Sequence, residues 1–274
     1  MTRRTLAALL SLALGVLIHA RPQGQSTDDY QRLLTLHEEF VKFRESRVVD
    51  GVPDYTPGTI AAQQRGLTEF RRRLAAINPV SWPVARKVDY LLVRADLNAL
   101  DFEHRVVRPW ERDPGLYVDA IARVPYADMP VAPDRLATFR TQLKAVPAIL
   151  EQARSNLTRA AGELAGIAIR HLERPDGINQ GEPRRAVPPE GVIGWYRDLV
   201  GRLPKHHPDL AADAQQALAA AERFRDWLKQ NQPRMTEPAW IGLDHYNWYL
   251  KHVRLMPYTA DDVRELGRRE EHRA

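Results

Sequence analysis

The chain has 274 residues, of which 44% are hydrophobic and 27% are charged, and it contains no cysteine. This length and composition are those of a globular protein with a sizeable core, and the lack of cysteine excludes disulfides and thiolate chemistry. The 40 basic residues are interleaved with 35 acidic ones, for a net charge of +5. We therefore expect no nucleic-acid partner, because nucleic-acid-binding proteins usually carry a concentrated basic stripe.

Residues 1–20 have the pattern of a secretory signal peptide. Arg3 and Arg4 form a positive start, residues 6–18 are apolar, and His19-Ala20 is a plausible cleavage end. The pattern predicts export to the periplasm or the extracellular space, and an uncleaved membrane anchor is the alternative. No later segment is apolar over a membrane-spanning length, so we expect no membrane span after signal cleavage.

Residues 21–274 show the helical period of 3.6 residues and no convincing strand alternation. The first helix follows the capping-rich residues 26–29, and a second ends at residue 78. Ser81 is expected to cap a third helix, which Arg108-Pro109 ends. The predicted buried stripe of this third helix is Val88, Leu91, Leu92, Ala95, Ala99 and Phe102.

Helical patterns continue to the end of the sequence. A short helix is expected near residues 117–122, and Pro147 is expected to kink or divide the helix that begins at residue 133. The proline- and glycine-rich residues 174–191 predict a long loop. Further helices are predicted at residues 193–203, 209–230, 239–255 and 259–274. The sequence thus predicts an all-α, antiparallel array of nine or ten helices after the signal peptide.

The last predicted helix has a strong start and no stop signal. Thr259 is a good N-cap, and Asp261 and Asp262 favour the positive end of the helix dipole. Val263 and Leu266 begin an apolar stripe, but the sequence ends at Ala274 without glycine, asparagine or proline. This favours a chain cut in mid-domain, with a frayed polar helix as the alternative.

No catalytic or metal-binding residue is predicted. His37-Glu38 begins like a zinc-protease helix, but Val41 stands where the second histidine is needed, so His37 is interpreted as a core or boundary residue. His206-His207 lies between two prolines and is interpreted as part of a loop. No phosphate-binding loop or nucleophile elbow is present.

Residues 240–252 form the densest aromatic and polar cluster. On a helix, Leu243, Tyr246, Leu250 and Val253 share one stripe. His245, Trp248, Tyr249 and His252 gather on the neighbouring side and are predicted to line a cleft, because such side chains join apolar bodies to hydrogen-bonding tips. The alternative is a large packed helix with its polar tips satisfied.

Several segments resemble, in order and spacing, the bacterial family called domain of unknown function 885: residues 88–92, 135–157, 242–250 and 258–267. The resemblance implies an exported, mostly helical protein of twice this length, similar to zincin-type metallopeptidases. It places the His-Glu-x-x-His zinc helix in the C-terminal half. Zinc is therefore expected only in that half, and none of the family's metal or catalytic residues carries over to this sequence.

The leading hypothesis is that residues 21–274 are the N-terminal helical domain of an exported protein similar to zinc metallopeptidases. They would form a scaffold and one wall of a substrate cleft, with a peptide substrate or a C-terminal catalytic half as partner, and would be inactive alone. The alternative is a stand-alone helical envelope protein that binds a peptide or a partner subunit. A third possibility is a separately encoded subunit whose catalytic partner is another polypeptide.

Overall fold

The computed structural model describes residues 23–174 and 179–273, with side chains from residue 28 onward. The predicted signal peptide, residues 1–20, lies outside the described residues.

Helices dominate the described part of the chain. The α-helices are α1 (Gln23–Phe43), α2 (Pro57–Ala75), α3 (Val84–Phe102), α4 (Pro109–Arg112), α5 (Pro114–Ala122), α6 (Pro133–Asn156), α7 (Gly162–Glu173), α8 (Gly191–Arg202), α9 (Ala211–Asn231), α10 (Leu243–His252) and α11 (Ala260–Glu271). A π-helix spans Glu103–Val107, and 3₁₀ turns span Val124–Tyr126, Leu203–Lys205, Pro208–Leu210 and Gln232–Arg234. Ten of the eleven α-helices in the described residues, all except α4, have nine or more residues, which confirms the predicted all-α fold and helix number.

One small sheet was missed by the prediction. Strands β1 (Val48–Val49) and β2 (Val52–Pro53) form an antiparallel hairpin of two residues each. Gly51 turns the hairpin with a φ of +82°, and a Cβ there would lie 3.0 Å from the Ala145 side chain of α6. Each strand is too short to show alternation in a sequence, and glycine is needed for both the backbone angle and the close approach.

The helices bury two apolar cores. The larger core joins α5 to α9 and contains Leu143, Tyr196 and Phe224, all fully buried. The smaller core joins α1 to α3 and contains Phe40 and Leu97. Both follow from apolar side chains that repeat at helical spacing and meet those of neighbouring helices.

Tyr117, Asn156 and Tyr55 connect the segment before α2 to the larger core. The Tyr117 hydroxyl donates to the Trp110 carbonyl over 2.9 Å and accepts from Asn156 Nδ2 over 3.0 Å. Asn156 Nδ2 also lies 3.3 Å from the Tyr55 carbonyl. The Tyr55 ring packs edge to face on Tyr117, with centroids 6.1 Å apart.

Helix α6 continues through Pro147, so Pro147 does not divide the helix. A proline removes one backbone hydrogen bond and crowds the preceding turn. Here Leu143 and Val146 before the proline and Ile149 and Leu150 after it are all buried in the larger core. Burial in the larger core on both sides of the proline therefore outweighs the local cost.

The predicted loop at residues 174–191 has no regular element in its described residues, 174 and 179–190. Arg185 fixes it to α8, because its guanidinium pairs with Asp198 at 2.8 Å and stacks over the Trp195 ring at 4.8 Å. Arg202 shares the same carboxylate at 2.6 Å. The loop is thus fastened by an ion triad that sequence periodicity does not reveal.

The prediction for α3 was wrong in two respects. The helix begins at Val84 with Pro83 as N-cap, so Ser81 is not the cap. Three residues of the predicted buried stripe are exposed: Val88 by 46%, Leu92 by 52%, and Leu91 by 36%. The stripe is apolar as predicted, but the helix packs on α1 and α2 through residues on another side, including Val93 and Leu97.

We expect Tyr117→Phe to lower the free energy of unfolding by about 1–3 kcal/mol, because it leaves the Trp110 carbonyl without this donor and Asn156 without this acceptor. The measurement is urea unfolding. The control is Tyr196→Phe, which removes a single bond from a buried hydroxyl to the Ile121 carbonyl at 2.9 Å. A smaller loss for Tyr117→Phe than for the control would contradict the connecting role.

Candidate functional site

Helix α10 carries all four residues predicted to line a cleft, and it is shorter than predicted. It begins at Leu243, after Gly242 with a φ of +83°, and ends at His252. His245 is exposed, whereas Trp248, Tyr249 and His252 are partly buried. The structure therefore brings the four residues together on one helix, at the protein surface.

Phe102, at the end of α3, is the centre around which three of these side chains pack. Its ring stacks on Trp248 with centroids 5.6 Å apart and contacts Tyr249 at 5.3 Å and His245 at 6.5 Å. The ring of His252 lies 4.9 Å from that of Trp248. The polar and aromatic side of α10 is thus also its attachment to α3.

The other side of α10 is open. Leu243 is 58% exposed and Tyr246 is 38% exposed, while Leu250 is buried. An amphipathic stripe normally faces a core, and only the C-terminal part of this one does. The sequence alone could not tell which side of the helix meets the rest of the chain.

Arg112 binds the segment that precedes α10. Its guanidinium is buried and donates to the Val106 carbonyl over 3.3 Å, at the end of the π-helix. It also donates to the carbonyls of Pro238 and Trp240, just before α10. A charged donor makes such hydrogen bonds stronger than neutral ones. Sequence analysis missed Arg112, because its partners are far apart in the chain.

Helix α11 has a well-formed start and no buried residue. The Thr259 hydroxyl accepts from the Asp262 amide over 3.3 Å, and the Asp262 carboxylate accepts from the Thr259 amide over 2.8 Å. These bonds confirm the predicted cap and lower the pKa of Asp262. Leu266 is nevertheless 42% exposed, and the helix contacts α10. A 12-residue helix with so little packing has marginal stability in water.

Three neighbouring helices thus leave apolar side chains uncovered. We call α3, α10 and α11 the open helices, because α3 contacts α10 and α10 contacts α11. Their exposed apolar side chains are Val84, Val88, Leu91 and Leu92 of α3, Leu243 and Tyr246 of α10, and Leu266 of α11. Large exposed apolar areas usually mark contact surfaces.

The π-helix follows directly after the C-terminal end of α3 and carries two ionisable residues, Glu103 and His104, near Trp110. Short π-helices are rare and are often found at functional sites. His104 is only 4% exposed, and its ring lies edge to face on Trp110 at 5.3 Å. Desolvation disfavours the charged form of both groups, so it lowers the pKa of His104 and raises the pKa of Glu103. Part of the Glu103 side chain remains accessible to solvent.

The other histidines considered from the sequence have structural partners. His37 Nε2 lies 3.1 Å from an Asp96 carboxylate oxygen, and His207 Nε2 accepts from the Val131 amide over 3.1 Å. Both observations agree with boundary and loop positions. In residues 23–174 and 179–273, no group of three His, Asp or Glu side chains is arranged to hold a metal ion. No helix within these residues has the length and apolar character needed to span a bilayer.

We expect Phe102→Ala to release α10 from α3 and to cost about 3–5 kcal/mol, as for other buried phenylalanines. Limited proteolysis should then cut first near Lys251, because local opening exposes the helix. The control is Phe224→Ala in α9, which removes an equally large buried ring from the larger core. Equal cutting near Lys251 in both variants would show that Phe102 does not hold α10.

The buried His104 should make stability pH-dependent. Its folded-state pKa lies below the ordinary value of 6.5, so the unfolded chain binds more protons as the pH falls. The contribution is therefore fully present above pH 6.5 and is lost as the pH falls through 6.5 towards the folded-state value. Urea unfolding from about pH 8 to about pH 5 should show a smaller loss for His104→Gln than for the parent chain. Equal losses of stability in the two proteins would show that His104 does not contribute to the pH dependence.

Comparison with known proteins identifies the family but no activity. The structure is similar to that of a candidate lipoprotein of unknown function from Shewanella oneidensis, with a TM-score of 0.60 and 16% sequence identity. The match covers 91% of this chain and 45% of that one, so this chain spans less than half of its neighbour's length. No curated protein matches the sequence. The family model described as "Bacterial protein of unknown function (DUF885)" matches residues 43–274, and the chain therefore belongs to that family.

Proposed function

We propose that this chain is the N-terminal helical part of an exported protein similar to zinc metallopeptidases, in which it forms a scaffold and one wall of a substrate cleft. The observation that carries the proposal is the uncovered apolar surface of the open helices. Val88, Leu92 and Leu243 are placed at helical spacing for burial, yet each is more than 40% exposed. Further polypeptide packed on these helices would bury them.

The length of the structural neighbour supports this proposal. The matched region is 45% of that chain, so more than half of it has no counterpart here. The resemblance of residues 242–250 and 258–267 to the zincin-like family places the zinc helix in such a further region. In that arrangement, His245 and the partly exposed Trp248, Tyr249 and His252 would face the substrate from the scaffold side.

Export is part of the proposal. Arg3, Arg4 and the apolar residues 6–18 have the composition of a signal peptide. The Shewanella neighbour is itself described as a candidate lipoprotein. The periplasm or the extracellular space is therefore the proposed location.

The coding DNA downstream of Ala274 provides the direct test. We expect the reading frame, directly or after one shift, to continue into a His-Glu-x-x-His helix. The longer product should hold one zinc per chain and show chelator-sensitive peptide hydrolysis, while residues 21–274 alone should show neither. Tightly held zinc or chelator-sensitive hydrolysis in the short chain would overturn the proposal.

Substitutions on the open helices should affect association selectively. Leu92→Lys and Leu243→Lys should each weaken binding of the downstream polypeptide by about 10- to 100-fold, since burying a leucine contributes about 1.5–3 kcal/mol. The stability of the short chain should change by no more than about 0.5 kcal/mol, because both side chains are already exposed. Isothermal titration calorimetry and thermal melting measure the two effects.

The matched control is Val187→Lys. Val187 is also apolar and exposed, but it lies in the loop between α7 and α8. It should leave the affinity unchanged. An equal loss of affinity in all three variants, or no loss in any of them, would contradict the proposed contact surface.

A further inference from the structure

The side of α3 that faces away from the smaller core has the residue spacing of a coiled-coil contact. Six residues follow one another along it at alternating intervals of four and three positions: Val84, Val88, Leu91, Ala95, Asn98 and Phe102. We call these six residues the α3 seam. Side chains at this spacing form a narrow stripe along one side of a helix, and a second helix can pack along such a stripe.

Helix α10 already covers the C-terminal half of the α3 seam. Asn98 Nδ2 donates to the His252 carbonyl over 3.1 Å, and the Phe102 ring stacks on Trp248 at 5.6 Å. The two helices are antiparallel, because the later residue of α10 meets the earlier residue of α3. Ala95, Asn98 and Phe102 are accordingly at most 9% exposed.

The N-terminal half of the same seam is open. Val84 is 77% exposed, and Val88 and Leu91 are exposed as well. Leu92 lies directly beside the seam and is also exposed. From Val84 to Leu92 the helix is about 12 Å long, which is about two turns of a partner helix. The open half therefore continues an established helix–helix contact and has room for one more helix.

The charged residues on one flank of the open half are both basic. Lys87 and Arg94 stand one position before Val88 and Ala95, where coiled coils place the residues that form ion pairs between helices. Both side chains are exposed, and neither forms an ion pair or hydrogen bond within the described residues. The open half thus presents an apolar stripe beside two unpaired positive charges.

The three carboxylates of α3 do not balance these charges, because each is bonded elsewhere. Asp89 accepts from the Tyr30 hydroxyl over 2.7 Å, and Asp96 lies 3.1 Å from His37 Nε2, so both are bound to α1. Asp101 pairs with arginines of α2 and of the π-helix. A second copy of α3 would therefore offer no free carboxylate to the two cations. A partner with acidic residues of its own fits this surface better than another copy of this chain.

We infer that the open half of the α3 seam binds a helix of the further polypeptide that is apolar on one side and carries carboxylates beside its apolar stripe, opposite Lys87 and Arg94. This inference rests on the proposed function, because the helix belongs to the polypeptide proposed to pack on the open helices. It adds the chemistry of that partner. Burial of the apolar stripe supplies affinity, and opposite charges beside it favour this partner over others and speed association.

The test uses three designed peptides of about three heptads each, at concentrations where the peptides are monomeric. They share one leucine stripe, and their flanking positions are glutamate, glutamine or lysine. In anisotropy titrations with residues 21–274 at low salt, we expect the glutamate peptide to bind at least about tenfold more tightly than the lysine peptide. The difference should shrink as salt is added, because salt screens exposed charges. Equal binding of the three peptides, or no binding of the glutamate peptide, would overturn the inference.

A charge-reversed variant localises the preference. In the double variant Lys87→Glu and Arg94→Glu, the lysine peptide should bind more tightly than the glutamate peptide. The control is Arg223→Glu, because Arg223 of α9 is also exposed and unpaired within the described residues. It should keep the preference for glutamate. An unchanged preference in the double variant, or a reversal in the control as well, would contradict the assignment to α3.

A lipid surface is the other kind of partner with which an apolar stripe beside basic residues is compatible. Vesicles of phosphatidylglycerol and of phosphatidylcholine provide this comparison. We expect no binding to either that depends on Lys87 and Arg94. Vesicle binding that the double variant loses, without any preference among the peptides, would assign the surface to a membrane and overturn the inference.

Association with the downstream polypeptide separates this inference from the proposed function. If that polypeptide holds zinc and binds this chain, yet binds the double variant equally well, the inference fails and the proposed function stands. If it binds this chain, loses affinity for the double variant and holds no zinc, the proposed function fails and the inference stands.

Discussion

The buried guanidinium of Arg112 is the interaction on which the arrangement of the C-terminal helices depends. It binds carbonyls at the end of the π-helix and just before α10, so it connects two segments more than a hundred residues apart. This connection places α10 beside Phe102. The orientation of α10 in turn leaves Leu243 and Tyr246 facing solvent.

The two cores have different relations to solvent. The larger core is covered by its own helices, α5 to α9, and has many fully buried side chains. The smaller core meets one side of α3, and on the other apolar side of that helix Val84, Val88, Leu91 and Leu92 are exposed. A soluble chain does not normally combine strong helical amphipathicity with exposure of the apolar stripe. The exposed apolar side chains of the open helices therefore support the proposed role of this chain as part of a larger protein.

Sequence periodicity predicted the fold well, because regular helical spacing of apolar residues is a local signal. The α11 cap at Thr259 and the loop after α7 were predicted from residue type, because capping residues and runs of proline and glycine are also local signals. Periodicity failed at α3, where Val88 and Leu92 do share one apolar side of the helix. Whether that side is buried depends on distant parts of the chain, which local spacing does not reveal. It also missed the roles of Arg112, whose carbonyl partners are distant in the chain, and of His104, whose burial is set by the fold. At Pro147, burial in the larger core keeps α6 undivided.

We propose that further polypeptide packs on the open helices and buries their exposed apolar side chains. Hydrogen exchange of α11 tests it most directly, since exchange reports the free energy of local opening. In residues 21–274 alone, the amides of residues 263–271 should exchange nearly as fast as in an unfolded peptide, and they should become strongly protected in the longer protein. Strong protection of these amides in the short chain by itself would contradict the claim.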